Sequence, residues 1–274
     1  MIPKKEDKSS LYKIPLKRLL NSNHPLYRMA EAIDWAVFED AFTPHFYPDN
    51  GRPGIPTRVM VGLHYLKYSE DLSDEDVVEK WVQNPYWQYF CGEEYFEHEF
   101  PIHPTSMTRW RKKIEKVGAE ELLKETIMTG FREKVFRKKD LERVNVDTTV
   151  QESLDKADEM TGDVGKIRQA FADGGYKGSG YEGEIEVHIV KKGLRKKKDP
   201  VKKWMKRRSA VEADIGHLKN DCGLKRNYLS GVEGNAMNAI LAATGFNFRK
   251  LLRAFLRQIL LWLISLWKRS FASV

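Results

Sequence analysis

Asp147 closes the run Arg-Val-Asn-Val-Asp, Asp173 closes Gln-Ala-Phe-Ala-Asp, and Glu212 lies inside Arg-Arg-Ser-Ala-Val-Glu. Acids at the ends of two strands and on a following helix can converge on one point, where their hard oxygens suit divalent cations. The chemistry such a layout serves is metal-dependent phosphoryl transfer. The helix around Glu212 carries Val211, Ile215, Leu218 and Cys222 as one apolar stripe. At about 100° per residue from Arg208, Glu212 falls at about 40° and Lys219 at about 20°, so these three form a polar stripe along the edge of the apolar one. An i, i+4 surface pair of Arg208 with Glu212 is the plainer reading, worth ~0.3 to 0.5 kcal/mol, but it does not account for Lys219.

The elements that must position these acids are legible in the pattern. Val144, Val146 and Thr148 alternate as a strand, Ser153 to Thr161 reads as a helix, and Ile167 to Ala172 reads as a second strand ending at Asp173. Ile185, Val187 and Ile189 alternate as a third. Gly178, Gly180 and Gly183 spell G-x-G-x-x-G but open a strand, whereas a dinucleotide site needs them to open a helix. With no Walker-type phosphate loop either, no nucleotide cofactor is expected.

The first 140 residues read as helical, broken at Asn21 to Pro25, Tyr47 to Pro56 and Phe100 to Pro104. Thr57 to Tyr68 forms one helix, and Ser73 caps the next, with Asp74, Glu75 and Asp76 in its first turn. Thr105 or Ser106 caps a third, in which Met107, Trp110, Ile114 and Val117 make the apolar face. Arg109, Arg111, Lys112 and Lys113 are assigned to its outer face, as the recognition helix of a helix-turn-helix aimed at DNA. Taken alone, the same cations also fit a solvated surface helix.

Composition supports a folded protein of 274 residues with a formal charge of +8. Between Lys191 and Arg208, eleven of eighteen residues are Lys or Arg, opposed only by Asp199; a solvated linker is the plainer reading, and a phosphate-binding strip beside a metal site is the one favoured. Cys91 and Cys222 show no paired spacing, as expected of a reducing cytoplasm. Ile259 to Trp267 is apolar but about half the ~20 residues that span a bilayer, so a packed or dimerising helix is expected rather than a membrane anchor.

Taken together, NVDTTVQE around Asp147, ADGGYKG around Asp173 and RRSAVEADIGHLKNDCGLKRNYLSG around Glu212 resemble the DDE transposases of bacterial insertion sequences, in the insertion-sequence-five group. Arg208, Glu212 and Lys219 match that family's R-x3-E-x6-K element, although Met205 stands where the family carries a tyrosine. Gly51 to Val78 and His103 to Ile114 resemble the group's helical DNA-binding region. The resemblance implies an α+β or α/β chain with a helical DNA-binding domain over 1–139, a ribonuclease H-like catalytic core over 140–231 and a C-terminal helical segment over 232–274. It further implies that Asp147, Asp173 and Glu212 hold two Mg2+ ions, with Mn2+ as a substitute. Arg208 and Lys219 would grip the DNA backbone, and the partners would be double-stranded DNA and a second copy of the chain. Only 26 residues separate Asp147 from Asp173, room for one crossover helix but not for the two further strands of the family's core. The core is therefore expected to be shortened, with a bare outer edge on its first strand.

Overall fold

The computed structural model describes residues 14–42, 54–146, 150–162, 164–173, 183–190, 212–225, 229 and 231–271. It divides into two compact units, Met1–Thr129 with Leu218–Val274, and Gly130–His217.

The first unit opens with α1 (Leu16–Leu19) and α2 (Pro25–Ala32) and continues through α3 (Ala36–Phe42) to α4 (Thr57–Glu70), around which it is built. Residues Val59 to Ser69 of α4 are all buried. A helix buried around its whole circumference must be covered on every side. Part of that cover is α3 and α5 (Asp74–Gln83), and the largest share is α11 (Gly231–Phe271). The segment assigned to a separate C-terminal helix thus packs along the N-terminal helices. Leu241, Phe248, Leu251 and Phe255 recur at helical spacing and are fully buried. Phe248 stacks on Tyr65 at 5.2 Å between ring centroids and meets Phe90 edge-on at 5.3 Å. Gly245 lets α11 approach this closely, since a Cβ there would be driven into the Tyr68 carbonyl.

Local chemistry sets the ends of these helices. Ser73 caps α5 as its sequence position suggests, accepting from Asp76 N at 2.9 Å, and Asp76 accepts in return from Ser73 N. Asn84 ends α5 and its side chain caps α6 (Pro85–Phe90) by accepting from Tyr86 N and Trp87 N. The buried Gln88 holds the following segment by exchanging two 2.7 Å bonds with the Glu97 backbone. Farther along, α7 (Thr105–Arg132) buries Met107, Trp110 and Ile114 as expected, but Val117 is 66% exposed. The cause is Glu115, whose φ of 54° interrupts the helix and resets its phase. Beyond it, Gly118, Ala119 and Leu122 turn inward instead.

Within this apolar surround lies a cluster of charge. Arg111, only 4% exposed, donates to both oxygens of Asp74 at 3.0 and 2.6 Å, and Lys67 Nζ lies 3.0 Å from the same carboxylate. Burial pulls the Asp74 carboxyl upward, but the hydrogen bonds and charge of Arg111, then those of Lys67, outweigh it and hold the group well below the usual carboxylate range. His64 completes the cluster, with Arg111 Nη1 3.4 Å from its Nε2 and Met60 O 2.7 Å from its Nδ1. Arg111 can only donate, so Nε2 accepts and the proton resides on Nδ1. Desolvation, reinforced by the Arg111 charge, lowers the His64 pKa to about 3. Burial also raises the Tyr68 hydroxyl to about 12.

The second unit follows α8 (Lys138–Leu141) with three strands, β1 (Arg143–Val146), β2 (Gln169–Asp173) and β3 (Glu186–Val190). They form a parallel sheet in the order β1-β2-β3, with Val146 paired to Ala172 and Asp173 to Val190. Between β1 and β2 runs α9 (Val150–Thr161), which places Leu154 over Ile167, Ala170 and Ala172. Among the described residues β1 has a partner on one side only, which is the bare edge expected of a shortened core.

The close approach at Gly245 can be tested by filling it. Gly245→Ala should lower stability by about 1 to 3 kcal/mol, because the backbone of α4 stands where its Cβ must go. Gly216→Ala, where nothing lies within 4 Å, should be neutral or stabilising by thermal melting. The charge cluster makes a second prediction. The His64 pKa is lower in the folded chain than the ~6.5 of the unfolded one, so below pH ~6.5 only the unfolded chain takes up that proton. Stability should then fall on acidification from pH ~6.5 toward 4, by at most about 1.4 kcal/mol per pH unit from this group. His64→Gln should flatten that part of the curve, and denaturant unfolding measured across the range reads it directly.

Candidate functional site

The basic face of α7 follows from its apolar face. Setting Met107 at 0° and advancing about 100° per residue, Trp110, Arg111 and Ile114 lie within about 60° of it, whereas Arg109, Lys112 and Lys113 lie between about 140° and 240°. Those three cations are exposed. Arg111 therefore does not belong to the outer face assigned from sequence. It points into the unit and is neutralised by Asp74. Thr108 assists by donating to Asp74 Oδ2 at 3.2 Å and accepting from Arg111 Nη2 at 3.1 Å.

Nor does α7 form a helix-turn-helix with the acidic helix α5. The residues from Asn84 to Pro104, including α6, lie between them, whereas such a motif has a turn of three or four residues. The short turn instead joins α4 to α5 through Asp71, which adopts a left-handed φ of 53°. The outer face of α7 is thus a basic strip on the first unit, held in orientation by a buried ion pair. Lys116, just past the break at Glu115, is exposed as well, but the break removes the helical spacing that could have placed it from sequence.

The three acids have different standing. Asp173 closes β2, the central strand, at the carboxyl end of the parallel sheet. In parallel sheets that end is where ligands bind, because the strand ends and their loops converge there. Asp147 follows directly after β1 in sequence and lies outside the described residues, as do Arg208 and the basic run from Lys191. Glu212 and Lys219 are both exposed on α10, residues 212–221, while Cys222 just beyond is fully buried. Two members of the polar stripe, Glu212 and Lys219, are thus at the surface, and the third, Arg208, lies outside the described residues. Among the described residues no three His, Cys, Asp or Glu side chains are grouped to hold a metal ion, and the thiol of Cys91 is buried rather than presented as a ligand. The apolar stretch from Ile259 lies in α11, and among the described residues no helix is long and apolar enough to cross a membrane.

Comparison with known proteins bears on both regions. Residues 14–113, which include the α7 cations Arg109, Lys112 and Lys113, match the family described as Transposase domain (DUF772). Residues 182–252, which include Glu212 and Lys219, match the family described as Transposase DDE domain. The chain is 53% identical over 144 residues to a Rhizobium meliloti protein described as "Uncharacterized protein ORF8 in nfe locus", an alignment covering 53% of this chain and 69% of that relative. No solved structure matches the chain. The two transposase matches, in this order along one polypeptide and flanking the stretch that carries Asp147 and Asp173, place the chain in the DDE transposase family.

Proposed function

We propose that this chain is a DNA transposase that binds the ends of its own element through α7 and cuts them at a site formed by Asp147, Asp173 and Glu212. The observation that carries the DNA-binding half is the separation of charge on α7. Arg109, Lys112 and Lys113 are exposed on one side, while Arg111 on the other side is neutralised by Asp74. Exposed Lys and Arg on one helix face can reach phosphates, whose neutralisation dominates protein–DNA affinity. The proposed division of labour is DNA binding over 1–139, catalysis over 140–231 and packing over 232–274.

For the catalytic half we propose a shortened ribonuclease H-like core. In support, the order β1-β2-β3 is what remains when two strands are removed from the outer side of β1, and α9 is the single crossover that 26 residues allow. The donor set is all carboxylate, which fits a hard divalent cation such as Mg2+ or Mn2+. Bound between Asp147, Asp173 and Glu212, such ions would supply Lewis-acid stabilisation of charge on the scissile phosphate. The chain's own share is to hold the carboxylates at the carboxyl end of the sheet and to grip the DNA backbone with Lys219 and Arg208.

Two measurements test these halves separately, using duplex DNA carrying the sequences that flank the chain's own coding sequence. Replacing Arg109, Lys112 and Lys113 with Ala should weaken binding and make its dependence on log salt shallower by about 2 to 3 units, near one for each phosphate no longer neutralised. Unchanged affinity and slope would exclude α7 as the DNA-binding surface. Full-length protein with Mg2+ should nick the same duplex, and Asp173→Ala or Glu212→Ala should abolish nicking while leaving binding intact. Binding without nicking in the unaltered protein would instead favour a DNA-binding remnant that has lost catalysis.

A further inference from the structure

The last carbonyls of a helix have no partner within it and must find one elsewhere. At the end of α10, which from Leu218 onward belongs to the first unit, two groups supply them. Leu224 N donates to Leu218 O at 3.1 Å, closing the helix through Gly223 at a left-handed φ of 77°. Arg249 of α11 donates from Nη1 to the Asp221 carbonyl at 3.0 Å, and the same nitrogen lies 3.5 Å from Asp221 Oδ2. Cys222 is fully buried, and a Cβ on Gly223 would come within 3.1 Å of Asp71 Oδ1. The final turn of α10 is thus held by a guanidinium of α11 and by close packing on the turn between α4 and α5. Lys219 lies in that final turn, with its own side chain exposed.

We propose that Arg249 is a positioning residue for Lys219, fixing the turn from which that lysine reaches the DNA backbone. The proposal rests on the reading that Lys219 grips DNA. A lysine is a point charge on a long flexible stem, so the place of its backbone decides which phosphate it can meet. Two observations separate positioning from plainer roles. The side chains of Arg249 and Asp221 are 29% and 34% exposed, and an ion pair so open to solvent adds little to stability. Its effect therefore falls on where the helix end sits rather than on whether the unit folds. Nor does Arg249 suit phosphate itself, because the cleft it lines is also lined by Glu70, Asp71 and Asp221, whose charges repel an anion.

The experiment is a double-mutant cycle on the full chain, read as affinity for duplex DNA carrying its flanking sequences. Lys219→Ala should weaken binding several-fold and make its dependence on log salt shallower by about one unit. Arg249→Met, which keeps the length but not the charge, should weaken binding by the same factor with an unchanged melting profile. The double variant should then bind no more weakly than either single one. Arg249→Met combined with Lys112→Ala on α7 should instead show the product of the two losses. Because one nitrogen makes both contacts of Arg249, Arg249→Lys should restore binding. Losses that multiply between Arg249→Met and Lys219→Ala would overturn the proposal while leaving the grip of Lys219 standing. An Arg249→Met variant that does not fold would make the residue structural and overturn it as well. If Lys219→Ala changes nothing while the α7 substitutions weaken binding, the role of Lys219 fails and leaves Arg249 nothing to position. A chain that binds no duplex at all would sink the DNA reading itself.

Discussion

The ion pair between Asp74 and Arg111 decides how the first unit can present itself. At 2.6 Å, and with both partners nearly removed from solvent, it binds the first turn of α5 to the basic helix α7. Breaking such a pair strands a charge in an apolar surround, at a cost of roughly 3 to 5 kcal/mol. The helix therefore cannot turn its buried face outward without losing more than a surface interaction returns. Lys67 and the neutral His64 make the arrangement stricter, because each offers Arg111 and Asp74 one geometry rather than several. The same pair that stabilises the unit also fixes which cations of α7 reach solvent.

From that constraint the packing extends in two directions. Inward, α4 places Tyr65 and Tyr68 against α11, with Tyr65 also donating to the Leu122 carbonyl of α7 at 2.9 Å. The helix α11 is thereby part of the first unit's core rather than an appendage. Outward, the cations at Arg109, Lys112 and Lys113 are exposed on a helix, so meeting phosphate would cost side-chain but little backbone entropy. The second unit supplies a different resource, a parallel sheet whose carboxyl end carries Asp173.

Much of this was legible in the sequence, and the misses have physical causes. The cap at Ser73 was readable because it depends on local residue type at a helix start. The strands around Val144 and Val187 were readable from alternation, although β2 begins at Gln169 rather than Ile167, which is buried beneath α9 instead. Arg111 was misplaced because its charge was allowed to outweigh its spacing. Four residues after Met107 and three before Ile114, it sits within the apolar arc, and the acid that accommodates it lies 37 residues away. Val117 was misplaced because periodicity assumes an unbroken helix, and Glu115 breaks this one. The strand end at Asp173 and the helix around Glu212 were legible because strand ends and helix periodicity are local properties. Their convergence depends on tertiary structure that spacing does not encode.

The function proposed for the first unit turns on whether the outward face of α7 is where this protein meets DNA. Lysine acetylation of the full-length chain, read by mass spectrometry with and without duplex DNA carrying its flanking sequences, tests it most directly. Lys112, Lys113 and Lys116 should be protected by the duplex, while Lys17 on α1 labels equally in both states. Equal labelling of the three α7 lysines with and without bound DNA would contradict the account.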